Sequence, residues 1–259
     1  MCTQKRAIWR RKMLRHDSIR ASLQNSSGPP MSFPIHQVEC HNQDHQIIPV
    51  EFLILHYTAT DLSNTLAIFQ DKRLGVSSHV VIDVDGSVYS LVDCLKGQAC
   101  RAWHAGQSSY VDESKTWSGF NDFAIGIELV NANGNIFPFT NDQYQSLAAI
   151  VLLLKQHYPS LADPKRILGH EHIAGYRGKI DPGYCFDWNR FWQMCFPRVP
   201  APERKPVCPE ALRLKARAMA TFSPEDPREN ARFWMHMSAF METAVEMAIQ
   251  GTSAPETFD

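Results

Sequence analysis

The order of apolar patterns along this 259-residue chain predicts an α/β domain over about residues 32–197. Three observations carry that prediction. Short apolar runs rich in β-formers alternate with stretches of helical spacing. Two of the short runs flank Asp85-Gly86, a strong hairpin signal. One long stretch opens with Thr140-x-x-Gln143, a capping-box pattern, and is apolar almost all round from Leu147 to Leu154. Such a helix should be buried against a sheet.

Taken in order, Phe52 to Tyr57 reads as a buried strand with His56 near its end. Asp61 to Arg73 has helical spacing, with Leu62, Leu66 and Phe69 on one side. His79 to Asp83 and Val88 to Val92 are the two hairpin strands. Phe123 to Val130 is a further central strand, in which alternation sets Ile125, Ile127 and Leu129 opposite Gly126 and Glu128. The capped helix runs from about 140 to 158. Ile167 to His170 is a short strand ending at a polar loop, and Asp187 to Cys195 is a short helix rich in aromatics. Beyond Pro197 the prolines at 197, 200, 202 and 206 mark a stiff linker. Two helices, roughly 209–220 and 227–250, are expected after it, each with a proline at its first position. They make a C-terminal helical extension (198–259) expected to pack on the main domain through Phe233, Trp234, Met237 and Phe240, a separate partner-binding element being the alternative.

Net charge is −1, with 44% hydrophobic and 20% charged residues, an ordinary globular composition that gives no argument for nucleic acid or an anionic membrane surface. The charge is concentrated at the start: Lys5, Arg6, Arg10, Arg11, Lys12, Arg15 and Arg20 stand against Asp17 alone in the first 20 residues. No apolar stretch follows to make a secretory signal. Residues 1–31 therefore read as a disordered basic leader, or as translation assigned upstream of a working start at Met31. No run approaches the roughly 18 apolar residues of a membrane span. Seven cysteines without C-x-x-C pairing argue against a disulfide framework and for a reducing compartment, a Cys94–Cys100 bridge remaining open.

Against this background a few polar residues stand out. His56 closes an apolar strand, His170 follows Ile167-Leu168-Gly169, and Asp181 lies in a Gly/Pro-rich turn. Two neutral imidazoles and a carboxylate are a ligand set for a catalytic zinc with one position open to water. Glu128 lies among Ile, Ile, Leu and Val, where a carboxylate is costly unless it meets a cation, a metal-held water or a strong donor. Lys179, two residues before Asp181, can reach the same cavity. Each residue alone has an ordinary reading: a satisfied core histidine, a solvated sheet face, a loop lysine. Their combination points to a hydrolase.

These residues and their surroundings resemble the zinc-dependent N-acetylmuramoyl-L-alanine amidase type 2 family over about residues 48–193. The motifs are I-L-H56-Y-T-A, V-S-S-H79-V-V-I-D-V-D-G, R101-A-W103-H104-A-G, I-G-I-E128-L-V-N131 and G-H170-E-H-I-A-G-Y-R-G-K179-I-D181-P-G. The resemblance implies a central mixed sheet flanked by helices, with Zn2+ held by His56, His170 and Asp181. It implies Glu128 as general base and Lys179 as oxyanion stabiliser. His79, Trp103, His104 and Asn131 would contact substrate, although an inward-facing strand histidine fits His79 equally well. His172 reads as a loop bystander. The implied reaction cuts the amide between N-acetylmuramic acid and L-alanine in peptidoglycan or muropeptides. A soluble, monomeric cytoplasmic enzyme is expected, a periplasmic or secreted one being the alternative. Non-catalytic peptidoglycan binding and a zinc peptidase acting on another amide are the competing functions.

Overall fold

The computed structural model describes residues 34–203 except Ser114, and they form an α/β unit around a six-stranded mixed sheet. Ten strands occur among the described residues: β1 (Ile35–Gln37), β2 (Gln43–Ile48), β3 (Phe52–Tyr57), β4 (Val80–Ile82), β5 (Val88–Ser90), β6 (Ala99–Ala102), β7 (Ser109–Val111), β8 (Thr116–Ser118), β9 (Ala124–Leu129) and β10 (Ile167–Gly169). The main sheet has the order β1-β5-β4-β9-β3-β10. Only the β4–β5 hairpin is antiparallel within it. Gly86, at φ 82°, turns that hairpin, as Asp85-Gly86 predicted. β2–β6 and β7–β8 form two separate antiparallel pairs.

Four α-helices complete the described fold: α1 (Leu62–Gln70), α2 (Asn141–His157), α3 (His170–Ala174) and α4 (Trp188–Cys195). Thr140 and Gln143 form the expected reciprocal cap, each backbone N–H donating to the other's side chain at 3.1 Å. Helix α2 is buried on one face only. Leu147, Ile150, Val151 and Leu154 pack into the core, whereas Leu152 is 41% exposed. The expected burial against the sheet is met by that face, while the apolar run extends onto a side that faces water. Helix α1 is shorter than expected, since Asp71 leaves helical geometry and closes the last turn with its own N–H.

The parallel strands β3 and β9 alternate strictly between two faces. Leu53, Leu55, Ile125, Ile127 and Leu129 face a core shared with α2 and α4. Phe52, Ile54 and Ala124 belong to a smaller cluster on the other face, and Val81 of β4 to a third cluster that includes Phe69 of α1. Each fully buried side chain of this kind contributes about 1.5–3 kcal/mol. By the same alternation, Gly126, Glu128 and His56 belong to the second face. No helix among the described residues is long and apolar enough to cross a membrane. The expected helices at 209–220 and 227–250 and the leader lie outside the described residues. Cys94 and Cys100 are both free thiols.

Candidate metal centre

Strand register lines up the polar residues. His56 pairs across with Glu128, and Glu128 with Val81 on its other side. Gly169 of β10 pairs with Leu55, so the next residue, His170, arrives level with His56. Parallel strands bring their carboxyl ends to one edge, where sites in such sheets form. His170 is the first residue of α3 and not a strand end, which corrects the expected loop. Its neighbour His172 is no bystander: its Nδ1 accepts the Gly169 N–H at 2.9 Å, satisfying a donor at the start of α3.

Asp181 completes the cluster. Its Oδ2 lies 2.8 Å from His56 Nδ1 and 3.0 Å from His170 Nδ1, and the two nitrogens are 3.1 Å apart. These three atoms lie close enough together that they could hold one metal ion. The ligand–ligand spacing around tetrahedral zinc is about 3.3 Å for bonds of about 2.0 Å. The observed triangle, 2.8 to 3.1 Å on a side, is slightly narrower. Burial, then the nearby His170, brings the His56 pKa down to about 4, keeping the ring neutral. Burial would raise Asp181, but its imidazole neighbours, His170 foremost, outweigh this and hold it far below the usual carboxylate range. A neutral imidazole and an ionised carboxylate are the forms that bind a metal.

Glu128 and Lys179 join His56, His170 and Asp181 in lining one cavity of about 350 Å³. Glu128 is buried, and its Oε2 has no partner among the described residues. Its pKa is pushed up to about 8, by burial first and Asp181 second, with Lys179 pulling the other way. A buried carboxylate oxygen left unpaired is costly, and a polar guest in the cavity would satisfy it. An adjoining cavity of about 370 Å³ shares Trp103, His104, His170 and Lys179 and adds Arg101 and Arg177. A larger one, about 510 Å³, lies against β10 and α4 and holds none of the clustered residues.

Two expected substrate contacts are corrected. His79 is 0% exposed, and both its ring nitrogens are bonded to backbone: Nδ1 accepts the Gly126 N–H at 3.0 Å and Nε2 donates to the Cys100 carbonyl at 2.9 Å. It ties β9 to β6 and lines neither cavity of the site. Asn131 is also turned inward, donating to the Phe137 carbonyl and accepting from the Asn133 N–H. Trp103 and His104 do line the cavity, yet Trp103 Nε1 donates to Asp44 and both His104 nitrogens are bonded within the protein.

Several supporting residues escaped the sequence reading. Asn133 Oδ1 accepts from the Asn135 N–H, and Asn135 Oδ1 accepts from the Tyr184 N–H, so these asparagines brace the turn that follows Asp181. Gly134 meets that turn so closely that a Cβ there would collide with the Pro182 carbonyl. Asn121 Oδ1 accepts both the His104 and Ala105 N–H groups at 3.0 and 2.8 Å. The visible signal for such close approaches is a glycine inside a strand, as at Gly126.

Comparison with known proteins gives a concordant picture. The family described as N-acetylmuramoyl-L-alanine amidase matches residues 46–184. The chain is similar to the 1,6-anhydro-N-acetylmuramyl-L-alanine amidase AmpD of Salmonella typhimurium (strain SL1344), at 43% identity over 119 residues, 46% of this chain and 57% of that protein. It is similar to N-acetylmuramoyl-L-alanine amidase AmiD of Escherichia coli (strain K12), at 31% identity over 171 residues, 61% of this chain and 58% of that protein. A crystal structure of a selenomethionine AmpD derivative matches 61% of this chain and 92% of its own, at 31% identity and a TM-score of 0.50. The chain thus spans little more than half the length of the curated relatives it matches.

Proposed function

The chain belongs to the N-acetylmuramoyl-L-alanine amidase family, and from that premise we propose that it hydrolyses the amide between N-acetylmuramic acid and L-alanine in soluble muropeptides, with Zn2+ held by His56, His170 and Asp181. The observation that carries the proposal is the convergence of that triad with Glu128 and Lys179 on one cavity. A zinc ion bound there supplies Lewis-acid polarisation of the scissile carbonyl and an acidified water, with a pKa near ~7. Glu128 takes the proton of the attacking water and returns it to the departing amine of L-alanine. Its unpaired Oε2 and its place beside His56 in the sheet register suit that task. Lys179, exposed at the cavity wall, is the group we assign to the developing tetrahedral oxyanion, a role worth about 3–4 kcal/mol in comparable sites. Trp103 remains a candidate for contact with the sugar or stem peptide through its ring face.

A 1,6-anhydro fragment is the substrate form supported by the likeness to enzymes carrying that name, and a cytoplasmic location is proposed with it. The catalytic unit is taken as residues 32–197, acting as a monomer. Mass spectrometry of muropeptide digests tests the assignment: free peptides beginning with L-alanine are expected, and their release should stop with a chelator. A chain that leaves soluble muropeptides intact but dissolves sacculi would overturn the substrate form. Release of nothing from either, with zinc supplied, would overturn the enzyme reading.

A further inference from the structure

We propose that Arg177 is a specificity-determining residue that binds a free carboxylate on the peptide side of the scissile amide. This rests on the amidase reading above and deepens it, by naming the substrate charge that the groove selects. Trp103, His104, His170 and Lys179 line both cavities of the site, whereas Arg177 lines only the outer one, of about 370 Å³. Among the described residues no carboxylate lines that outer cavity. Its other guanidinium is already matched: Arg101 Nη1 donates to Asp44 at 2.7 Å, and its Nε donates to Asp122 at 2.6 Å. The Arg177 guanidinium has neither a hydrogen bond nor an ion pair among the described residues.

An exposed arginine without a partner is ordinary where its side chain reaches out into water. Arg177 is exposed, yet its guanidinium lies against Gly106 in the wall of the groove. A Cβ built on Gly106 would stand 2.8 Å from Nη1, 3.2 Å from Nη2 and 3.4 Å from Cζ. A guanidinium so placed offers a planar fork, which suits a carboxylate through two parallel N–H···O bonds. Lys179 borders both cavities and is assigned to the reacting carbonyl, which leaves Arg177 for an anionic group farther out. Substrate chemistry decides where that group sits. N-acetylmuramic acid has a single carboxyl, and the amide being cut consumes it. Any carboxylate that remains belongs to the peptide.

A set of three substrates tests this. N-acetylmuramoyl-L-alanyl-glutamate carries two carboxylates at different reaches from the scissile amide, and each can be masked as a carboxamide. The zinc-supplied full chain should cleave the diacid with a kcat/KM about 10–100-fold above that of at least one mono-amide, the range expected for a hydrogen bond to a charged group. In Arg177→Gln that preference should shrink to a few-fold at most. Arg177→Lys, which keeps the charge and loses the fork, should fall between the two. Because the preference is a ratio within one protein, any general loss of activity cancels. An equal preference in wild type and Arg177→Gln overturns the inference, as does a wild-type protein indifferent to both masked carboxylates. Should none of the three compounds be cleaved, the amidase reading fails by itself, and calorimetric binding of the same compounds still reads the contact. A binding preference for the free carboxylate that is lost in Arg177→Gln supports it, and an unchanged or absent preference overturns it.

Discussion

His79 should make the metal-free protein acid-labile, and the size of the effect follows from its surroundings. Burial, with a smaller push from His56, lowers its pKa from 6.5 to about 4, against the opposing bond to the Cys100 carbonyl. The folded ring cannot gain a proton without surrendering the Nδ1 lone pair that accepts the Gly126 N–H. The unfolded chain, however, binds that proton as soon as pH drops through about 6.5. Stability from this group is therefore fully present above pH 6.5 and declines between 6.5 and about 4, where the folded form begins to titrate as well. The slope is about 1.4 kcal/mol per pH unit and the total about 3 kcal/mol. Urea unfolding of chelator-treated protein at intervals from pH 4 to 8 measures it. His56 and His104, also lowered, add to the wild-type slope, so the diagnostic quantity is the difference from His79→Asn. That variant should be less stable at pH 8 yet lose less on acidification, by one proton's worth of slope. Parallel pH curves for the two proteins would refute the assignment of a neutral, backbone-bonded His79.

Three further outcomes are expected. Glu128→Gln should lower kcat by about 10²–10⁴-fold while zinc stoichiometry stays at one per chain by elemental analysis, since Glu128 serves the water and not the metal. Asp181→Ala should lose both turnover and zinc, read by the same two assays. Gly134→Ala places a methyl against the Pro182 carbonyl, 3.0 Å from Tyr57 Cδ1 and 3.1 Å from Phe139 Cζ. It should cost about 1–3 kcal/mol in denaturant unfolding and weaken zinc binding, because Pro182 follows Asp181 directly.

The sheet and the gathering of His56, His170 and Asp181 were legible where charge contradicted its setting. Glu128 in an apolar strand and His56 at the end of another announced themselves because burial of such groups needs a reason. Long-range consequences were less legible. His79 and Asn131 sit in motifs that mark the neighbourhood of the site, but a motif does not say whether a side chain points into the cavity or back into the backbone. Both point back. Strands β1, β2 and β6 to β8 are three to six residues long with mixed burial, so no apolar run marks them. The start of α3 carries no Ser, Thr, Asp or Asn cap, and a histidine three residues on accepts the N–H of the capping residue Gly169. The place of the His104 ring depends on a gap opened by Gly126, 22 residues further along the chain, which only the folded chain brings beneath it.

The level row across the sheet has a consequence for redesign. Glu128, His56 and His170 owe their height to interstrand pairing, so their spacing is as rigid as the ladder itself. Gly75, Val76, Arg177 and Gly178, by contrast, border the two cavities from outside any strand. On the proposed function, the reacting groups and the rim of the groove thereby lie on separate segments. A library confined to residues 74–76 and 176–178 can reshape the groove for a different amide while the reactive row keeps its dimensions. A one-residue slip in β3, by comparison, would turn His56 to the opposite face and erase the site in a single step.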